Sequence, residues 1–354
     1  MIAESGPITM ARYMEICLSD PEHGYYRRRD PIGAAGDFIT APEVSQMFGE
    51  LIGLWCAVTW HQMGAPERIH LVELGPGRGT LMQDALRAVR AEPEFCNAFS
   101  LHLVETGDRL RDVQCQRLAG TPAAWHLSLE SVPPGPLLLI ANEFFDALPV
   151  HQYEMTADGW RERLVTFDDG ACRLQLAPLP CALYRPGQPG DVFEQAPARN
   201  TYMADIAVRL KRDGGAALII DYGHSESVNG DTLQAVRTHR VQSVFAEPGL
   251  ADLTSHVDFE ALGRAAPGLS RHGPRRQGEF LRALGIEARA TTLQRSASFE
   301  QVAEIDTALH RLLDTRQMGD LFKALAVTQQ GAPVPAGFER YTAAAQAPQG
   351  ASKW

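Results

Sequence analysis

Apolar residues recur along the chain with two different periods, and each predicts a different kind of element. Residues 43 to 63 carry Val44, Met47, Phe48, Leu51, Ile52, Trp55 and Val58 at i, i+3, i+4 spacing, which predicts an amphipathic helix. A second helix is expected over residues 7 to 20. Between them, "DPEHGYYRRRDPIGAAGDFITAPE" is rich in Gly and Pro and reads as a loop, long enough in a compact chain to point to function. From residue 69 strand and helix patterns alternate. "IHLVEL", "FSLHLVE", "AAWHLSL", "GPLLLIAN" and "AALIIDYG" read as strands, separated by helices such as "TLMQDALRAVRAE", for which Thr80 and Gln83 suggest a capping box. That alternation predicts an α/β fold with a parallel sheet covered by helices.

The period changes over residues 150 to 185. Three apolar-polar runs are separated by Asp158-Gly159 and Asp169-Gly170, which read as hairpin turns, so an antiparallel insertion is expected at about 150–198. In the last third, residues 257–266, 277–285 and 298–315 look helical, and Ser298 with Gln301 suggests another capping box. The expected division is an N-terminal helical cap with a covering loop over 1–66 and a core over 67–290. A helical C-terminal region with a mobile tail follows over 291–354.

Composition narrows the function. The formal net charge of −10 opposes a surface that tracks a nucleic-acid backbone, and basic runs such as "RRR" and "RHGPRRQ" read as solvated faces. The six cysteines include no CxxC pair, so neither a zinc cluster nor a disulfide framework is expected. No apolar run is long enough to span a bilayer, and no secretory or transit signal is visible. The expectation is a cytoplasmic protein without metal, nucleic acid or membrane insertion.

The chemistry begins at "LVELGPGRGTLMQD", residues 71–84. Gly75, Gly77 and Gly79 follow a strand and open a helix, yet their spacing is not the G-x-G-x-x-G of a dinucleotide site. Glu73 stands two residues before the first glycine. A carboxylate there repels a pyrophosphate and suits a ligand bearing an ammonium or sulfonium. Glu105, ending the next strand, can accept both hydroxyls of a ribose. Together they favour a nucleoside with a cationic tail, for which S-adenosylmethionine is the match. Gly75 and Gly77 would let the backbone approach it, and Gly79 would serve close helix-strand packing.

These residues resemble the class I S-adenosylmethionine-dependent methyltransferases. "GPITMARYM", "DPEHGYY", "GDFITAPEVSQMFGELIG", "NEFFDALPV", "DYG" and "DLTSHVDF" further resemble, in order, the MidA and NDUFAF7 group, regarded as protein arginine methyltransferases and including complex I assembly factors. The resemblance runs from about residue 5 to 340. It implies a Rossmann-like seven-stranded sheet, a cofactor site at Gly75, Gly77 and Glu105, and a segment holding Asp37, Phe38, Thr40 and Gln46 that closes over the cofactor. It also implies a protein substrate, such as a respiratory complex I subunit. Asp37 and Thr40 could instead cap a helix beginning near Pro42, with Phe38 in the core.

On the acceptor side, "NEFFDALPV" follows a buried strand, where open α/β sheets bind ligands. Asn142 and Glu143 would lie beside the transferable methyl. A guanidinium is planar, forked and permanently charged, so it calls for two carboxylates: Glu143 with Asp146, or Glu143 with Glu154. His256 and Asp258 could bind the acceptor or take its proton, while Asp221 and Tyr222 sit at a strand end without an assignable role. Methylation of a small molecule, or an assembly chaperone that needs no methyl transfer, are the competing readings.

Overall fold

The computed structural model describes residues 2–28, 40–238 and 240–339. Its main sheet takes seven strands in the chain order β1 (Ile69–Leu74), β2 (Phe99–Val104), β3 (Ala123–His126), β4 (Leu137–Asn142), β5 (Gly215–His224), β6 (Leu269–Arg276) and β7 (Phe322–Gln329). Their spatial order is β6-β7-β5-β4-β1-β2-β3, with a two-residue strand at 257–258 added beside the end of β5. The first five are mutually parallel and β7 runs antiparallel between β5 and β6. Chain order reverses between β1 and β4, which opens a crevice at their carboxyl ends, the place where such sheets hold ligands.

Each face of the sheet is sealed by helices. On one face Leu71, Leu101, Leu138, Ile140 and Leu218 pack against Phe48, Trp55, Leu81 and Phe95. The helices behind this layer include α2 (Gln46–Gln62) and α3 (Thr80–Ala88). On the other face Val72, Leu139, Ala217 and Ile219 meet Met203, Ile206 and Leu210 of a helix over Pro197–Asp213. Strands buried on both faces explain the unbroken apolar runs of "LLLIAN" and "AALIID".

A third cluster stands apart. In it Met10, Tyr13, Met14 and Leu18 of α1 (Met10–Ser19) pack with Tyr25, Val150, Val165 and Leu253. α1 thereby docks on the antiparallel insertion, whose strands His151–Thr156, Gly159–Asp168, Ala171–Leu176 and Val192–Gln195 are joined in part by the two expected Asp-Gly turns. Ile8 and Thr9 extend this sheet by pairing with Val165 and Leu164.

Three expectations are corrected. β7, beyond residue 290, is an interior strand of the main sheet, so the core does not end there and the C-terminal region is not purely helical. "RHGPRRQ" is not merely a solvated run: all but its last residue lie in β6, an edge strand interrupted by a bulge between His272 and Arg275, where proline is tolerated and Arg271 and Arg276 face water. Thr80 caps nothing. The N-cap of α3 is Gly79, and the Thr80 hydroxyl turns away to donate to Glu43. The Ser298–Gln301 capping box does form.

α2 and α3 cross in close contact, and Gly53 makes the approach possible: a Cβ there would meet the Ala85 carbonyl oxygen at 2.5 Å. Gly53→Ala is therefore expected to destabilise the protein by about 1–3 kcal/mol through overpacking. Denaturant unfolding would check this, and an unchanged midpoint would show that the two helices separate freely.

Candidate functional site

Two adjoining cavities occupy the crevice. The larger, of about 310 Å3, is lined by Tyr26, Glu105, Phe144, Asp146, Tyr202 and Asp252 among others. The smaller, of about 50 Å3, is lined by Glu43, Glu73, Arg78 and Asn142 among others. Thr40, Gly75, Gly77 and Glu143 border both.

The glycine turn sits at their junction. Gly75 has φ +59, and a Cβ on it would come within 2.8 Å of the Phe144 ring, so both backbone conformation and space demand glycine. Just before it, Glu73 is 3 % exposed, and its Oε2 has no hydrogen-bond partner among the described residues. Burial pushes its carboxyl up to about 8. Glu105, at the end of β2, is held in place: its Oε1 accepts from the Gly107 amide at 2.7 Å and its Oε2 from Gln114 Nε2 at 3.2 Å. The same Gln114 Nε2 donates to the Gly77 carbonyl at 2.7 Å, and Gln114 Oε1 accepts from the Trp125 indole at 2.9 Å. A single buried glutamine of the helix Asp108–Arg117 thus locks the turn to Glu105.

On the opposite wall, Glu143 follows β4 with φ +50, an uncommon value for a side-chain-bearing residue. Its amide donates to the Ile220 carbonyl at 2.9 Å. Its Oε1 accepts from the Ala41 amide at 2.9 Å and from Asn142 Nδ2 at 3.2 Å. The carboxyl keeps one face on the cavity, yet protein surrounds it, and the loss of hydration pushes it up to about 8. Asp146, 6 % exposed, is also shifted upward by burial, and its Oδ1 has no hydrogen-bond partner among the described residues. Across the larger cavity the Tyr26 hydroxyl donates to Asp252 Oδ1 at 3.0 Å. Among the described residues lining the larger cavity no Lys or Arg occurs.

Of the residues singled out in the sequence, Glu73, Gly75, Gly77, Glu105, Thr40, Asn142, Glu143 and Asp146 meet at these cavities. Thr40 is also the N-cap of a short helix, Ala41–Val44, though its side chain makes no cap bond. Asp37 and Phe38 lie outside the described residues. Gln46 does not reach the site: it opens α2 on an exposed face. His256 lines neither cavity, packing edge-on against Tyr222 at 5.6 Å. Asp258 caps a helix by accepting from the Ala261 amide at 2.8 Å. Glu154 is paired with Arg163 at 2.9 Å and lines neither cavity, whereas Asp146 lines the larger cavity together with Glu143. Gln114 carried no sequence signal beyond a polar residue near an apolar stripe, while Tyr26 and Asp252 fall in the fragments "DPEHGYY" and "DLTSHVDF" without having been singled out as site residues.

Comparison with known proteins adds the family. Residues 51–275 match the family described as "Putative S-adenosyl-L-methionine-dependent methyltransferase". Protein arginine methyltransferase NDUFAF7 of Xenopus tropicalis, named as mitochondrial, is 37% identical, covering 96% of this chain and 87% of the relative. The Drosophila melanogaster homologue is 39% identical over 92% of this chain and 82% of its own length. The chain belongs to the NDUFAF7 family of S-adenosylmethionine-dependent methyltransferases. A "likely methyl transferase" from Burkholderia thailandensis, solved with S-adenosyl-homocysteine bound, superposes with a TM-score of 0.83 at 28% identity, covering 95% of this chain and 91% of that one.

Family membership establishes the class I methyltransferase fold and the methyl donor. It also corrects one expectation. The NDUFAF7 relatives are named as mitochondrial, against the cytoplasmic location expected from the sequence. That expectation rested on seeing no secretory or transit signal and on cysteines without a CxxC pair, which suit any reducing compartment and cannot tell the cytoplasm from an organelle's interior.

The two raised carboxyls make a pH dependence with a definite sign. Between the unfolded value of about 4.5 and the folded value of about 8, the native NDUFAF7-family protein holds protons that the unfolded chain has released. Their contribution to stability is present below pH 4.5 and is lost as pH rises through 8. Glu73→Gln, which stays neutral, should gain on the parent as pH rises from 5.5 to 8.5, by about 3 °C or more in Tm. Thermal melts of the ligand-free proteins test it; a constant or shrinking difference would rule out a protonated Glu73.

Proposed function

We propose that this protein methylates the guanidinium of an arginine in a protein substrate, with a respiratory complex I subunit as the acceptor to examine first. The observation that carries the reading is the presence of Glu143 and Asp146 together on the wall of the larger cavity, which no Lys or Arg lines among the described residues, beside the cofactor turn. The relatives' name, protein arginine methyltransferase, supports the same acceptor. The complex I target rests on resemblance to the assembly-factor group.

The residues present suit S-adenosylmethionine. Glu73, whose buried oxygen lacks a partner among the described residues, would face the ammonium. Arg78 of the same turn lines the smaller cavity, where it would face the carboxylate. Glu105 would accept the ribose hydroxyls, and Gly75 and Gly77 would leave room for the chain between. When bound, this cofactor supplies an electrophilic methyl on a sulfonium.

Glu143 and Asp146 would then grip the guanidinium as a planar fork and turn one nitrogen toward that methyl. A cation entering between them lowers both carboxyl pKa values, so the pair ionises as it binds. As the N–C bond forms and the S–C bond breaks, the nitrogen sheds one proton to Glu143, and the products are methylarginine and the thioether. Rate would come from orientation and water exclusion more than from base strength.

Incubation with methyl-labelled cofactor and a lysate depleted of this protein tests the reading. Label is expected in protein, released as methylarginine on hydrolysis, and Glu143→Gln should lower the rate about 100-fold or more while cofactor affinity stays within about threefold. Label confined to small molecules would overturn the arginine acceptor. Full cellular rescue by an inactive Glu143→Gln protein would instead favour a chaperone.

A further inference from the structure

Asp221 lies within β5, one residue past the last pairing of that strand with β4 at Ile220 and Asn142; it has no solvent exposure and lines neither cavity. Its carboxylate faces backbone. Oδ2 accepts from the amides of Phe145 at 3.0 Å and Asp146 at 3.2 Å, and Oδ1 accepts from the Tyr222 amide at 2.9 Å. From the other side, Arg199 on the helix Pro197–Asp213 is 4 % exposed and spreads its guanidinium over carbonyls. Its Nη2 donates to the Asp146 carbonyl at 3.1 Å, to the Ser255 carbonyl at 3.1 Å and to Ser255 Oγ at 2.6 Å; its Nη1 donates to the His256 carbonyl at 2.6 Å. The Asp146 carbonyl also accepts from the Ser255 amide at 3.1 Å.

We infer that Asp221 and Arg199 form a buried clamp that positions the acceptor loop, holding the backbone of residue 146 by both its N–H and its C=O. This inference rests on the reading of Glu143 and Asp146 as the acceptor's carboxylates. The two side chains come from elements that belong to the sheet and its helical layer, so the loop inherits their rigidity. The arrangement also explains two like-charged groups so close together. Burial pushes the carboxyls of both Asp221 and Asp146 upward, the nearby Asp146 pushes Asp221 further, and Arg199 opposes both shifts. Ala41 and Asn142 hold the Glu143 carboxyl, and the clamp fixes the backbone from which the Asp146 carboxyl projects; a guanidinium fork tolerates little error in the angle between the two.

An asparagine at 221 has the same shape but only one acceptor oxygen, so its NH2 group would face either the Tyr222 amide or the amides of Phe145 and Asp146. The Asp221→Asn protein is expected to bind S-adenosylmethionine within about threefold of the parent, measured by calorimetry. Its kcat/KM for an arginine-containing peptide that the parent methylates should fall about 100-fold, and amide exchange at Phe145 and Asp146 should quicken. In the Glu143→Gln background the same change should cost less than about threefold, because the carboxylate it positions is already gone. Equal losses in both backgrounds, an unchanged kcat/KM, or a parallel loss of cofactor binding would overturn the clamp. If Asp221→Asn does not fold, Arg199→Lys, which keeps the charge and loses the fork, is carried through the same cycle. A parental rate for Glu143→Gln itself would overturn the acceptor reading, and the exchange rates at Phe145 and Asp146 would then decide the clamp alone.

Discussion

Carboxyl groups buried where parallel strands end are the constraint on which the rest of the structure depends. Glu73, Glu105 and Glu143 stand at the ends of β1, β2 and β4, and Asp221 lies in β5 just past its last pairing with β4, on four neighbouring strands of one sheet. A parallel sheet brings its strand ends to one side, so acids that are far apart in sequence converge on one crevice. Hydration is largely removed there, and ionised carboxyls are costly unless met by cations or N–H groups. The protein answers in two ways. Asp221 and Glu105 accept from backbone amides and Gln114, and where burial outweighs such bonds, as at Glu73 and Glu143, the carboxyls are pushed toward their neutral forms until a cationic ligand arrives. The site is therefore poised for positively charged ligands.

That poise requires a wall against water, and the wall is built from distant segments. Met10 to Tyr25, Val150 to Val165 and Ala235 to Leu253 contribute to one apolar cluster separate from both sheet cores. Leu18, Ser19 and Tyr26 then line the larger cavity, with Tyr26 tied to Asp252. The N-terminal region is thus not an appendage: its burial against the insertion sets the depth of the site, and hence how strongly its carboxyls are desolvated.

How much of this could be read in the sequence follows from where the information lies. Strands buried on both faces announce themselves by unbroken apolar runs, so β1, β4 and β5 were legible, and the glycine turn located the crevice. β7 was not, because "FKALAVTQ" follows a strongly helical pattern and its identity comes from pairing with β5 across a hundred residues. Thr80 had the right neighbours for a cap, but a glycine could adopt the left-handed N-cap and freed the hydroxyl for Glu43. Gln114 and Arg199 were invisible for a common reason. Each acts through hydrogen bonds to backbone distant in sequence, and neither helical period nor local motif records such a partner.

Glu143 shows why a residue at such a site keeps an unfavourable backbone. At φ +50 a glycine would relieve strain on the order of 1 kcal/mol, yet it would remove the carboxyl that faces both cavities. The conformation persists because its surroundings over-determine it: the Ile220 carbonyl holds the amide, Ala41 and Asn142 hold the carboxyl, and Asp221 fixes the next turn. Those bonds come from the sheet, from the N-terminal region and from the loop itself, so strain at one residue is offset by contacts spread over the fold. Rigidity at the carboxyl pair and marginal local stability are then two aspects of one arrangement, and substitutions that relax the turn would stabilise the chain at the expense of the geometry it maintains.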